Sequence, residues 1–215
     1  MKWAKIAALV IACGCATLAF VAWRGMLTMR QGMADCLNWQ GKSLAERFII
    51  DDARNRELVA EVSGFAQRVT DGTQPAMSGF AVLRSFYDGP LLLALLHTSL
   101  ANHVRTIATT EEIDLQDVEK VSLQFFTGVS NGKVATADWQ KVRGLLMEQK
   151  ICETESSIGF VIPEQVESFR RKIGQKALFD CIAIMQQAGS KTDPVASQTV
   201  LDPVAELKKI LASAH

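Results

Sequence analysis

"PLLLALLHTSLANHV", Pro90 to Val104, is the stretch on which the fold turns. As a helix it is apolar nearly all round, which leaves two outcomes: a membrane span or a helix buried on several sides. A span needs about 20 apolar residues in a row. His97, Asn102 and His103 interrupt this run well before that length. Pro90 suits a first helical turn, where its missing N–H costs nothing. The segment therefore reads as the central helix of a soluble helical bundle.

The flanks agree with a bundle. Gly and Pro are sparse, at 14 and 5 of 215 residues, and long polar–apolar alternation is missing. Apolar residues make up 48% and charged residues 21%, which excludes disorder for the bulk of the chain. Upstream, a helix is expected from Ser43 to about Val69, with "DDARNRE" (Asp51 to Glu57) as a hinge or solvated face. A short helix is expected over Phe80 to Tyr87, stopped by Asp88-Gly89-Pro90.

Downstream, five acids between Glu111 and Glu119 open a helix running to about Phe126, where they complement the helix dipole. A turn at Asn131-Gly132 leads to a helix near Thr136, capped by that hydroxyl. Counted from Thr127, this turn has the outline of a calcium-binding loop. Thr127, Val129 and Asp138 stand where acidic ligands and a bidentate carboxylate are needed, so the fit is to the turn and not to the ion. A short extended piece, Ile158 to Ile162, then precedes a helix expected from Pro163 to Gly189, with Arg170, Arg171, Lys172 and Lys176 as a solvated basic face. "SKTDPVASQTVLDP" reads as a linker. Pro203 to Ala212 reads as an amphipathic helix able to dock on its own bundle or on a partner.

The amino-terminal stretch raises the membrane question again. Ile6 to Trp23 is eighteen residues without a charge. At about 1.5 Å per residue it reaches roughly 27 Å, near the hydrocarbon thickness of a bilayer. Trp3, Lys5, Trp23 and Arg24 bracket it, as aromatic and basic residues do at a lipid–water boundary. A cleaved signal would use Thr17-Leu18-Ala19 or Gly14-Cys15-Ala16, and a lipoprotein signal Cys13. The apolar run continues past all of them. A retained signal-anchor over residues 1–24 is the expectation, followed by a connector (25–42), a helical domain (43–189) and a linker with terminal helix (190–215). The short basic leader predicts a bacterial inner-membrane protein whose carboxy-terminal domain is periplasmic. Ala4, Ala8, Ala12 and Ala16 share one helical face, the small-residue spacing that lets two membrane helices pair into a homodimer.

Chemistry is harder to find. Lys+Arg and Asp+Glu both number 23, so no net field selects nucleic acid. His97 and His103 are six apart on one helix and cannot chelate together. No zinc-protease, dithiol, nucleophile-elbow or phosphate-loop motif occurs, and no cofactor or metal is expected. In an oxidising compartment Cys152 and Cys181 could pair, leaving Cys36 over. The expectation is an all-α, membrane-tethered interaction or scaffold protein of a cell-envelope assembly, with other subunits as partners. Two alternatives are an enzyme drawing on His97, His103 and the acids of Glu111 to Asp117, and a sensor with a pocket around Phe86, Leu93 and Phe125.

Overall fold

The structure is a computed structural model that describes residues 2–107, 114–155, 161–189 and 201–214, with side chains from residue 19 onward outside the stretch 152–165. The chain is predominantly helical, as expected, with one two-stranded sheet added.

The first helix, α1, runs without a break over Lys2–Arg47. This corrects the connector expected over 25–42 and the helix start at Ser43. Three glycines suggested a break, since each costs about 1 kcal/mol inside a helix. Packing overrides that cost: Met33, Ala34, Leu37, Leu44 and Phe48 recur along one face and are buried. At Gly41 the helices approach closely: a Cβ would meet the Val62 side chain at 3.0 Å. Ser43 lies inside the helix, donating to Gln40 O at 2.9 Å instead of capping.

The expected helix from Ser43 to Val69 is broken at residues 48–51, where "DDARNRE" begins. Asp51 caps α2 (Asp52–Thr70), accepting from Arg54 N at 3.0 Å. That backbone hydrogen bond, with the Arg54 guanidinium, holds the Asp51 carboxyl below its ordinary value despite partial desolvation. Leu58, Val62, Phe65, Ala66 and Val69 of α2 are buried, and α2 packs chiefly on α1. Gly41 meets Val62, and Gly72 just past α2 meets Arg30, so α2 runs antiparallel to α1. After a turn, α3 (Ser78–Ser85) comes back along α1, with Gly79 against Met33 and Leu37, and Tyr87 beside Gln40.

The central stretch forms α4 (Pro90–Ile107), entered through Gly89 at φ +92°. Leu91 to Leu96, Leu100 and Val104 are all buried, so α4 is the core helix of the domain. Among the residues whose side chains are described, Ser78–Ile107 is the one segment long and apolar enough to cross a membrane, and half of its most apolar 18-residue window is buried in protein.

The acidic stretch opens α5 (Leu115–Ser130), capped by Asp114, which accepts from Gln116 N at 2.9 Å. Helix α5 ends in a left-handed Gly132 (φ +66°), with Gly132 N to Val129 O at 3.0 Å and Lys133 N to Gly128 O at 2.8 Å. These two bonds satisfy the last carbonyls of the helix and make the turn the sequence promised. Helix α6 (Thr136–Leu146) starts after Ala135, without the expected Thr136 cap.

Then the expectation fails. Strands β1 (Met147–Glu155) and β2 (Val161–Phe169) form an antiparallel hairpin, with Met147 opposite Phe169 and Glu155 opposite Val161. Val166 and Phe169 fitted a helical stripe by spacing, yet both are buried at the base of a hairpin. Pro163 is tolerated because each strand of a two-stranded sheet is an edge. Helix α7 (Gln175–Gly189) begins only afterwards. Arg171, Lys172 and Lys176 are exposed, as expected of a solvated face, while Arg170 is half-buried and donates from Nε to Met147 O at 2.9 Å. Finally α8 (Pro203–Ser213), capped by Asp202, docks on α2 and α4 through Val204, Leu207 and Leu211. Of the two occupants expected for this helix, its own bundle takes it. Most of the expected linker lies outside the described residues.

Candidate functional site

Helix α1 carries the most unusual surface. From Met33 onward it is core, but Phe20, Val21, Trp23, Met26 and Met29 are 45–61% exposed. This end of the helix stands clear of its own domain. Phe20 and Trp23 lie with ring centroids 6.0 Å apart, and the Arg24 guanidinium sits 5.7 Å over the Phe20 ring. An aromatic pair topped by a cation is the composition of a lipid–water boundary. Trp3, Lys5 and the row Ala4, Ala8, Ala12 and Ala16 fall where only the backbone is described. It is helical there, so the four alanines share a face.

A second concentration of polar groups lies where α4, α5 and the start of α8 meet. A cleft of about 180 Å³ is lined by Arg54, His97, Asn102, Arg105, Glu119 and Asp202, among others. His97 Nδ1 is 2.9 Å from Ser122 Oγ, and that hydroxyl also donates to Glu119 O at 3.1 Å. Arg105 pairs with Glu119 at 2.5 Å and donates to Asn102 at 3.2 Å. Asn102 in turn donates to Ile49 O at 3.0 Å, while Ile49 N donates to Ser99 Oγ at 3.0 Å. The chain of bonds pins the α1–α2 corner to α4. Ser122 is 1% exposed and bonded on both sides, so it offers a substrate no oxygen.

Burial lowers the His97 pKa below its ordinary 6.5. Glu119 pulls it up and Arg105 pushes it down, both more weakly. The unfolded chain thus binds the proton more readily than the folded one. Stability from His97 is complete above pH 6.5 and falls as the pH drops below it. The H97Q variant is expected to flatten the urea midpoint between pH 6.5 and 5, whereas the parent loses stability over that range.

The residues named for an enzyme do not converge. His103 is buried on another side of α4, its ring 6.1 Å from that of Phe169. Glu111 lies outside the described residues, and Asp117 is exposed in the first turn of α5. Among the described residues no group of three His, Cys, Asp or Glu side chains could hold a metal ion. Phe86 and Phe125 are packed into the core, whereas Leu93 lines a cleft of about 170 Å³ with Trp139 on its wall. A broader and more open groove of about 550 Å³ runs between α6 and α7, lined by Leu145 and Ile184 together with Lys141, Asp180 and Gln187.

Cys181 is a free thiol buried in the core, with burial pushing its pKa up to about 12. Cys152 lies on β1 opposite Glu164, where side chains are not described. A buried thiol kept protonated reacts slowly. Cys181 is expected to resist iodoacetamide at pH 8 in the folded protein and to alkylate fully in urea without reductant, read by peptide mass spectrometry. Recovery of a Cys152–Cys181 disulfide peptide would contradict this.

Two features escaped the sequence reading. Arg47, 1% exposed, donates from Nε to Glu167 O at 3.1 Å and from Nη1 to Gln40 Oε1 at 3.2 Å, with its guanidinium 4.7 Å over the Tyr87 ring. Its partners lie up to 120 residues away, so no local pattern announces it. Met77 and Phe80 are exposed by 63% and 53% at the start of α3. They read as ordinary apolar positions until the packing is known. No family model matches the chain, and no curated protein or solved structure matches it significantly.

Proposed function

We propose that this chain is a membrane-tethered, non-catalytic interaction protein of a cell-envelope assembly. The observation that carries the reading is α1 itself. One continuous helix has an uncharged stretch from Ile6 to Trp23, a bare apolar surface from Phe20 to Met29, and a far end that forms domain core. The exposed apolar side chains between Phe20 and Met29 are a liability in water, and a bilayer matched to the uncharged stretch removes it. The continuity of the helix makes the tether stiff, holding the domain at a fixed height above the lipid.

In this reading Trp3, Lys5, Trp23 and Arg24 sit at the two boundaries of an inner membrane, and the domain faces the periplasm. The alanine row is the face through which two copies pair. The groove between α6 and α7 and the exposed Ile151 and Phe179 are the surfaces left for other subunits. The His97 cleft is assigned to holding α1, α2 and α4 together, since its hydroxyl is closed off and its cation and carboxylate neutralise each other.

The test is photo-crosslinking in native membranes from positions 145, 151 and 179, with the adducts identified by mass spectrometry. The full chain is expected to give a discrete adduct from at least one position. A chain lacking residues 2–23 is expected to give it at least tenfold more weakly. Absence of adducts from all three positions would contradict the reading.

A further inference from the structure

The helices place one end of the domain against the point where α1 leaves it. Because α2 runs antiparallel to α1 and α3 runs back alongside it, the turn from Asp71 to Met77 lies at the exit end, with Gly72 against Arg30 and Gly79 against Met33. Arg30 is seven residues past Trp23 and Met33 ten, axial distances of about 10 and 15 Å. The headgroup layer beyond the hydrocarbon is about 5–8 Å deep on each side. A helix tilt of about 20° lowers one flank of the domain by several ångströms more. The turn is thus within side-chain reach of the lipid surface.

The turn's exposed residues include Asp71 and Thr73, and its far end carries two large apolar side chains. Met77 and Phe80 are three apart at the start of α3 and are 63% and 53% exposed, with Met26 and Met29 of α1 exposed at the same end. The charges nearby are mixed: Arg24, Arg30 and Arg68 against Asp35 and Asp71, which bond to Gln31 and Gln67. We propose that Met77 and Phe80 insert into the headgroup layer beside α1, giving the domain a second foot on the membrane that fixes its orientation as well as its height. This rests on the tether proposed above. The occupant is a lipid surface because the patch continues the apolar end of α1, and because its near-balanced charge makes insertion, not attraction to anionic lipid, the source of binding.

The experiment reconstitutes the full chain in phosphatidylcholine vesicles with 20% phosphatidylglycerol, as three photo-crosslinking variants. Phe20→benzoylphenylalanine reports the tether and Phe80→benzoylphenylalanine the second foot. Ile151→benzoylphenylalanine reports an exposed apolar residue on the hairpin, whose base is bonded to the Arg47 end of α1. Expected is lipid adduct from positions 20 and 80, at least fivefold above position 151, and little changed in pure phosphatidylcholine. Adduct at 20 with only background at 80 overturns the second foot and leaves the tether standing. Adduct at 80 without 20 supports lipid contact by the patch and removes the tether. Background at both removes both.

Discussion

Replacing Arg47 by alanine is expected to destabilise the domain by about 3–5 kcal/mol, a large share of the roughly 5–15 kcal/mol margin of an ordinary fold. The guanidinium is 1% exposed and lies where α1, the end of α3 and strand β2 meet. It donates to Glu167 O and to Gln40 Oε1, stacks on Tyr87 and lies 5.5 Å from the Phe48 ring centroid. Gln40 also bonds the Tyr87 hydroxyl, so one side chain organises the others. Removing it leaves buried acceptors without donors, each costing about 1–3 kcal/mol, and a void where the stem packed. Lysine keeps the charge but not the planar fork, and is expected to recover less than half of the loss. Urea denaturation of the full chain in detergent gives the numbers. Hydrogen exchange adds the location: the β1–β2 amides are expected to lose protection first, because Arg47 holds the hairpin to α1. A midpoint change worth less than about 1 kcal/mol would show that the network is incidental.

The second large effect concerns the tether. Gly14 and Ala16 lie near the middle of the uncharged run. An arginine at the centre of a membrane helix costs about 2.5–3.5 kcal/mol on insertion scales, so the double variant Gly14→Arg/Ala16→Arg is expected to lose about 5–7 kcal/mol of insertion free energy. The parent is expected to stay in the pellet after alkaline carbonate washing, and the variant to move to the supernatant. Because no described side chain before Met33 is part of the core, the two proteins are expected to share a denaturation midpoint. Equal retention of both in the pellet would mean that something other than this segment holds the chain.

Length and composition alone left Pro90 to Val104 open, since with its flank it is apolar enough to cross a membrane; its all-round apolar surface called for burial, and α4 has that burial in the core. The terminal helix was legible, because Pro203 marks its entry and one apolar side predicts docking. The hairpin was not. Val166, Phe169, Ile173 and Ala177 happen to fall at helical spacing, and only pairing with Met147–Glu155 reveals that the first two belong to a strand. The run of α1 through Gly25, Gly32 and Gly41 was hidden for a related reason. Local propensity argued for a break, while the compensating contacts with Val62 and α3 come from residues far along the chain. The polar bonds of His97 and Arg47 are tertiary in the same sense, joining groups 25 and up to 120 residues apart.

The central claim is that one unbroken helix passes from lipid into the protein core. A nitroxide scan of residues 6 to 45 in vesicles, read for collision with oxygen and with a water-soluble nickel chelate, tests it most directly. The predicted profile has three zones: oxygen-accessible and nickel-shielded through Trp23, open to nickel from Arg24 to Gly32, and a 3.6-residue alternation of shielding from Met33 onward. Nickel access at every position between Ile6 and Trp23 would contradict it, as would loss of the helical period across Gly25 to Gly41.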